Sequence, residues 1–162
     1  MKKWLLALLA FLPVYLIFSF YFLDRSYFLS PVEYKRDFII RNDSRGDGYF
    51  GAGRNGRRVH QGLDLSAKIG TPVLAARSGI VAVAKQNNGM GKYVIIKHLG
   101  KMVTIYGHLS EICAVKGQFV RQGQMIGRIG KTGNSNHPAI QPHLHFEVRV
   151  DGVPCDPMEY LR

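Results

Sequence analysis

The sequence of 162 residues contains only two cysteines, few acidic residues and, after its first 23 residues, no helical stretch of real length. It has no internal repeat, and no low-complexity tract follows the apolar run at its start. A cysteine count this small excludes a framework of several disulfides. The length leaves room for one ordinary domain with a short appendage.

Acidic residues number 11 against 22 lysines and arginines, so the formal net charge is +11. A solvated basic surface is the plain interpretation. The functional interpretation is that the basic surface attracts anionic lipid headgroups or an acidic cell-wall polymer. Because no recognisable nucleic-acid-binding module is present, we do not expect nucleic acid as a partner.

The N-terminal appendage has the features of a membrane anchor. A charge-free run of 20 residues extends from Trp4 to Leu23, which is the length that spans a bilayer core. Lys2 and Lys3 favour a cytoplasmic N-terminus, although cations beyond the run weaken the asymmetry. A cleaved signal peptide is the alternative, but the run lacks an A-x-A-like cleavage site.

We therefore predict four regions, and a single-pass protein of the inner or cytoplasmic membrane whose main domain is periplasmic or otherwise extracytoplasmic. The regions are a cytoplasmic stub (1–3), a transmembrane anchor (4–23), a tether (24–42) and a domain (43–162). In that oxidising compartment a disulfide between Cys113 and Cys155 is possible. Two unpaired cysteines remain the favoured interpretation.

The domain has a β pattern throughout. Short β-branched runs are separated by turn signals such as "SG", "NNG" and "LG", about every 8 to 12 residues, which predicts an all-β sheet, sandwich or barrel. In "HLHFEVRV", residues 143–150, apolar and polar residues alternate. Leu144 and Phe146 therefore belong to the core face, while His143 and His145 share the opposite face.

Two further segments carry histidine on the face away from the core. In "HQGLD", His60 and Asp64 would point the same way along one strand, with Gly62 leaving an open space between them. In "YGHLS", Tyr106 and His108 would share one face. An imidazole and a carboxylate beside an open position form a reasonable half of a zinc site.

The other two histidines do not fit this pattern. His98 shares a face with Val94 and Ile96 in "YVIIKHL", so we expect a structural role for it. His137 precedes Pro138 in a polar loop and is interpreted as a surface residue.

The motifs "HQGLD", "YGHL" and "PHLHFE", in this order and spacing, resemble those of the lysostaphin/LytM-type zinc metallopeptidases, which cut peptidoglycan peptides. The resemblance covers about residues 48–161 and includes "GTPVLAARSGIV" and "VKGQFVRQGQMIGRIGKTG". It implies an all-β domain, an antiparallel and open, barrel-like sheet with a groove. One departure is "TGNSNHPAIQPHLHFE", which inserts several residues before the last motif. A second is the lack of an obvious tyrosine just before His60.

The resemblance also implies roles for five residues. His60, Asp64 and His145 would bind one zinc ion per chain, and His108 and His143 would be catalytic. Three protein ligands and one open position suit a hydrolytic zinc. The implied function is a membrane-anchored peptidoglycan endopeptidase.

Two other hypotheses come from different classes. The first is a zinc-binding module that binds the wall or activates another wall hydrolase. The second is a carrier domain, because "GQFVRQGQMIGRIG" is similar to lipoyl and biotinyl folds, but no Met-Lys-Met-type hairpin is present for modification. A helix-borne zinc peptidase is excluded because H-E-x-x-H is missing. The oligomeric state and the bond cleaved are not predicted.

Overall fold

The computed structural model describes residues 11–13, 15, 27–35, 37–54, 56 and 58–161. Residues 11–13 and 15 are helical, and the rest of the described chain is built from strands and two short 3-10 turns, Gly133–Ser135 and Pro157–Glu159. The strands are β1 (Asn42–Asp43), β2 (Gly46–Asp47), β3 (Gly53–Arg54), β4 (Arg58–Val59), β5 (Leu63–Ser66), β6 (Pro72–Leu74), β7 (Gly79–Asn87), β8 (Gly91–Lys97), β9 (Met102–Ile112), β10 (Phe119–Val120), β11 (Met125–Ile129), β12 (His143–Val150) and β13 (Val153–Cys155).

Strands β5 to β13 form one antiparallel sheet, and the long strand β9 is its centre. One edge of β9 pairs with β8. The other edge pairs with β12 along residues 102–107 and with β11 along residues 109–112. The described strands form an open sheet and not a closed barrel, and β1–β2 and β3–β4 form two small ribbons beside it. The prediction of an all-β antiparallel fold is confirmed.

The core follows the alternation in β12. Leu144, Phe146 and Val148 are fully buried, and they join a cluster of apolar side chains contributed by most of the other strands. The opposite face of β12 is buried as well, since His143 is 3% and His145 is 8% exposed. A polar face removed from water must be satisfied by specific partners, so this face is where a functional site is expected.

The described part of the segment assigned to the tether packs against the domain. Phe28 and Val32 are buried members of the core, and the Phe28 amide donates to the Tyr160 carbonyl at 3.1 Å. Further along, Ile40 forms an isolated antiparallel bridge with Leu65 of β5. Packing of the domain therefore begins well before residue 43.

The predicted anchor, Trp4–Leu23, lies outside the described residues except for 11–13 and 15. Within the part of the chain that the structure describes, no helix has the length and apolar character needed to cross a bilayer. Both cysteines are unpaired: Cys113 is exposed and Cys155 is partly buried.

The prediction of one continuous strand around "HQGLD" is wrong. Strand β4 ends at Val59 and β5 begins at Leu63. The space beside Gly62 is not open either, because a Cβ there would lie 2.5 Å from the Phe146 carbonyl oxygen and 3.0 Å from the His145 ring. Glycine at this position lets the backbone approach β12 closely, which brings His60 toward His145.

Candidate metal centre and cleft

Three side-chain atoms converge at one end of a cleft. Nε2 of His60 lies 3.0 Å from Oδ1 of Asp64 and 3.0 Å from Nδ1 of His145, and the last two atoms are 2.8 Å apart. All three residues are buried. In a tetrahedral zinc site with bonds of about 2.0–2.1 Å, ligand atoms lie about 3.3–3.4 Å apart, so this triangle fits zinc after a small expansion. These are the three residues for which the resemblance implies metal binding.

The ring nitrogens that face away from this triangle fix the tautomers of the two ligand histidines. Nδ1 of His60 lies 2.9 Å from the Tyr49 carbonyl oxygen, and Nε2 of His145 lies 3.0 Å from a carboxylate oxygen of Glu147. Both acceptors require a protonated nitrogen on the outer side of the ring, so a metal ion that displaced the protons inside the triangle would meet a lone pair on each converging nitrogen. Histidines oriented in this way by carbonyl or carboxylate acceptors are typical zinc ligands. Arg149 in turn donates to Glu147 at 2.7 Å.

The two histidines with an implied catalytic role flank the triangle. His108 donates from Nδ1 to the Thr132 carbonyl at 2.9 Å, and His143 donates from Nδ1 to the Gln141 carbonyl at 2.6 Å. Their ring centroids are 5.1 Å apart. Nε2 of His143 lies 3.8 Å from Oδ1 of Asp64. In the neutral rings Nε2 is therefore an acceptor, so both histidines have a free basic nitrogen near the metal-binding atoms.

The site holds Asp64 as a carboxylate. Burial alone would raise its pKa, but hydrogen bonds from His145 and His60 outweigh that effect and hold the pKa well below its usual value. Burial lowers the pKa of His145, whereas hydrogen bonds to Asp64 and Glu147 raise it to about 9. A metal ion and a proton would compete for Nδ1 of His145.

The flanking pair is held neutral. Burial, followed by the charges of His145 and His143, lowers the pKa of His108 to about 3. Burial is also the main reason why the pKa of His143 is lowered. A zinc ion nearby would add positive charge and act in the same direction. Both rings are therefore neutral at neutral pH.

Strand β9 is irregular at His108, and this irregularity turns the His108 side chain toward the site. His108 has a φ of 63° and lies between Gly107, which pairs with β12, and Leu109, which pairs with β11. The positive φ interrupts the alternation of faces. As a result Tyr106 is fully buried in the core, with its hydroxyl bonded to the Ala76 amide and to Thr104. The prediction that Tyr106 and His108 share a face is wrong for this reason.

Arg41 is a site residue that the sequence analysis missed. It is 4% exposed, and it donates from Nε to Oδ2 of Asp64 at 3.0 Å and from Nη1 to Asp43 at 2.7 Å. Arg54 also donates to Oδ2 of Asp64, at 3.2 Å. With Oδ2 occupied by two arginines, Oδ1 is the oxygen that faces the histidines. Gly48 lies between the backbone segments that carry Arg41 and Asp64. A Cβ at this position would be 2.8 Å from the Arg41 carbonyl oxygen and 2.9 Å from Asp64 Cβ.

The remaining two histidines lie away from the triangle. His98 contacts the Ser78 carbonyl at 2.9 Å and Thr104 Oγ1 at 2.8 Å, and its ring lies 5.9 Å from that of Phe28. Partners of this kind fit the structural role expected for it. His137 is in the inserted loop, where its Nε2 contacts Arg45 at 2.7 Å.

The triangle opens into a cleft of about 790 Å³. Residues 41–61, which include four arginines, line it together with residues 87–90 and 134–140. The floor is formed by the site residues of β5, β9 and β12. A cleft of this size accommodates a short peptide in an extended conformation.

A family model described as "Peptidase family M23" matches residues 58–157, which include every residue of the triangle and of the flanking pair. The chain belongs to peptidase family M23. Over 100 residues it is 41% identical to the peptidoglycan DD-endopeptidase ShyA of Vibrio cholerae, an alignment that covers 62% of this chain and 22% of that protein. This chain therefore spans only about a fifth of the length of such relatives.

Two solved peptidase structures resemble the fold. A zinc-containing peptidase from Vibrio cholerae gives a TM-score of 0.69 at 34% identity and covers 83% of this chain and 40% of that chain. The catalytic domain of lysostaphin from Staphylococcus simulans gives 0.60 at 33% identity and covers 74% of this chain and 91% of that chain. The resemblance to lysostaphin-like peptidases drawn from the three histidine motifs is confirmed.

Proposed function

We propose that this protein is a membrane-anchored zinc metalloendopeptidase that hydrolyses peptide bonds of peptidoglycan, in cross-links or stem peptides. The single observation that supports it most is the convergence of His60, Asp64 and His145 within 2.8–3.0 Å, beside two buried neutral histidines. Membership of family M23 and the peptidoglycan endopeptidase named among its relatives support the substrate class.

The triangle would hold one zinc ion. Bound there, zinc would lower the pKa of a water molecule to about 7 and polarise the scissile carbonyl group. Glu147 and the Tyr49 carbonyl hold the outer ring nitrogens of His145 and His60, so that the inner nitrogens are aimed at the ion, while Arg41 and Arg54 hold Oδ2 of Asp64 and leave Oδ1 for the ion. These contacts reduce the reorganisation that metal binding would require.

His108 and His143 would carry the proton transfers. Each presents an unprotonated Nε2 on the cleft side, since Nδ1 donates to a backbone carbonyl. One ring accepts the proton of the attacking water and thereby becomes a donor. The resulting imidazolium can stabilise the tetrahedral oxyanion or protonate the leaving amine. Two rings with centroids 5.1 Å apart can divide these tasks between the two sides of the scissile bond.

The proposed location is the inner or cytoplasmic membrane, with residues 4–23 as an uncleaved anchor and the β domain outside the cytoplasm. The charge-free run of 20 residues supports it. Because the described chain from Phe28 onward packs on the domain, the domain would lie close to the membrane surface. The polymer cleaved would then be the wall nearest the membrane.

The test compares three histidine variants of the full-length chain on purified sacculi. His108→Ala and His143→Ala should keep the zinc content of the parent and lose about 10²- to 10⁴-fold in the release of muropeptides. His98→Ala is the matched control, which should lose stability and keep its activity per folded molecule. Undiminished release by the first two variants would refute the mechanism. Absence of cleavage by the zinc-loaded parent would favour the alternative, a module that binds the wall or activates another hydrolase.

A further inference from the structure

The arginines that line the cleft all come from one segment of the chain. Arg41, Arg45, Arg54 and Arg58 precede the first ligand histidine. The other segments that line the cleft outside the metal centre contribute neutral groups, including Asn87, Met90, Asn134 and Ser135. A peptide lying in this cleft would therefore meet its positive charge from the arginine-bearing segment.

Two of the four arginines are already paired. Arg41 binds Asp64 and Asp43, and Arg54 binds Asp64 and the Asp47 carbonyl. Their charge is used to hold the carboxylate of the metal centre. They are not available to a ligand without disrupting that centre.

The side chains of Arg45 and Arg58 are available to bind a ligand. Among the described residues, no carboxylate forms an ion pair with Arg45 or Arg58. The side chain of Arg45 contacts the His137 ring through Nη2, at 2.7 Å, and Arg58 is exposed. A guanidinium group has five N–H donors in a fork that matches a carboxylate, so each arginine retains donors for a ligand.

The acidic groups of the cleft cannot neutralise this pair. Asp64 is bound by two arginines and two histidines, and Glu147 is bound by His145 and Arg149. Arg45 and Arg58, here together called the arginine edge, therefore line the cleft with positive charge that no carboxylate of the described residues pairs with. A charged edge beside low-dielectric walls concentrates ligands of opposite charge.

We infer that the arginine edge binds a free carboxylate of the substrate peptide and makes the enzyme selective for anionic peptides over their amidated forms. This inference rests on the proposed function, because it names the chemistry of the substrate that the same cleft would take. A carboxylate accepts paired, charge-assisted hydrogen bonds from a guanidinium group, whereas a carboxamide offers one neutral acceptor. The selectivity should decrease as salt is raised, because the edge is exposed.

The experiment uses a cross-linked muropeptide and the same muropeptide after its free carboxylates have been converted to amides. Cleavage by the full-length zinc-loaded chain is measured for both, and the dissociation constants of both are measured with the His143→Ala variant, which should not turn them over. The parent should prefer the acid form by about tenfold or more in kcat/KM, and the same preference should appear in the dissociation constants.

Two variants test whether the arginine edge causes the preference for the acid form. Arg45→Gln with Arg58→Gln should reduce the preference to near unity, chiefly by slowing cleavage of the acid form. Lys116→Gln, an exposed cation that does not line the cleft, should leave the preference intact. Equal dissociation constants for the two peptides, or a preference that survives in the double variant, would overturn the inference. A preference in binding without any cleavage would support the edge and refute the proposed peptidase activity.

Discussion

Replacing Arg41 by glutamine should weaken zinc binding while leaving all three ligands in place. Arg41 donates to Oδ2 of Asp64 at 3.0 Å and to Asp43 at 2.7 Å, so it fixes which carboxylate oxygen faces His60 and His145. Loss of partners of this kind commonly reduces metal affinity about 10- to 100-fold, which corresponds to about 1.4–2.7 kcal/mol. We expect a decrease within that range for Arg41→Gln.

The variant should also be less stable without metal. Removing one member of a buried ion pair costs about 3–5 kcal/mol. The loss should fall below that range here, because Arg54 remains 3.2 Å from Oδ2 of Asp64 and keeps the carboxylate partly compensated. Arg41→Lys should rescue little of the zinc affinity, since one ammonium group cannot reproduce the fork that spans Asp43 and Asp64.

The assay is competition for zinc against a chromophoric chelator, with the folded fraction measured in parallel by denaturant unfolding. Arg54→Gln is the matched control, because Arg54 touches the same oxygen from a more exposed position, with 23% of its side chain accessible. Its effect on zinc affinity should be smaller than that of Arg41→Gln. If folded Arg41→Gln bound zinc as tightly as the parent, the idea that Arg41 positions the ligand would be refuted.

Three further predictions concern the metal ligands, the protonation of His108 and the packing of the segment before residue 43. Asp64→Ala or His145→Ala should abolish most zinc binding because each leaves two protein ligands; full zinc in both, by elemental analysis, would show that the ligand assignment is wrong. With a pKa lowered to about 3, His108 should show no ring titration by NMR between pH 5 and 8. The unfolded chain would protonate this residue near pH 6.5, so it should make the fold less stable as pH falls below that value, and a ring titration midpoint near 6.5 in the folded protein would contradict this. Phe28→Ala should lower the free energy of unfolding by about 3–5 kcal/mol, since the residue is 2% exposed; a loss below about 1 kcal/mol would show that the segment is a loose tether.

The face pattern of β12 could be predicted from the sequence because the strand is regular along its whole length. Leu144 and Phe146 alternate with His143 and His145, and a register with neighbours on both edges preserves that alternation. The same reasoning fails for Tyr106, which lies in the core because a positive φ at His108 and a change of partner strand rotate the chain. The alternation of apolar and polar residues along a strand does not indicate where the backbone will depart from regular β geometry.

Other parts of the site depend on contacts between distant segments. Gly62 is required by its approach to the Phe146 carbonyl, a contact made across β5 and β12. Arg41 precedes Asp64 by 23 residues and belongs to a stretch with weak periodicity. A backbone hydrogen bond from the Arg41 amide to the Asp64 carbonyl, at 2.9 Å, holds the two residues side by side. No spacing rule in a single sequence predicts a partnership of that kind.

The measurement that tests the central claim most directly is a zinc titration of the metal-free full-length chain, followed by its activity on sacculi. New peptide termini are counted by mass spectrometry at each ratio of zinc to protein. We predict that cleavage is absent without zinc, rises in proportion to added zinc and stops rising at one equivalent per chain. Cleavage that is unaffected by removal of the metal, or no new termini at one equivalent of bound zinc, would contradict a zinc peptidase built on His60, Asp64 and His145.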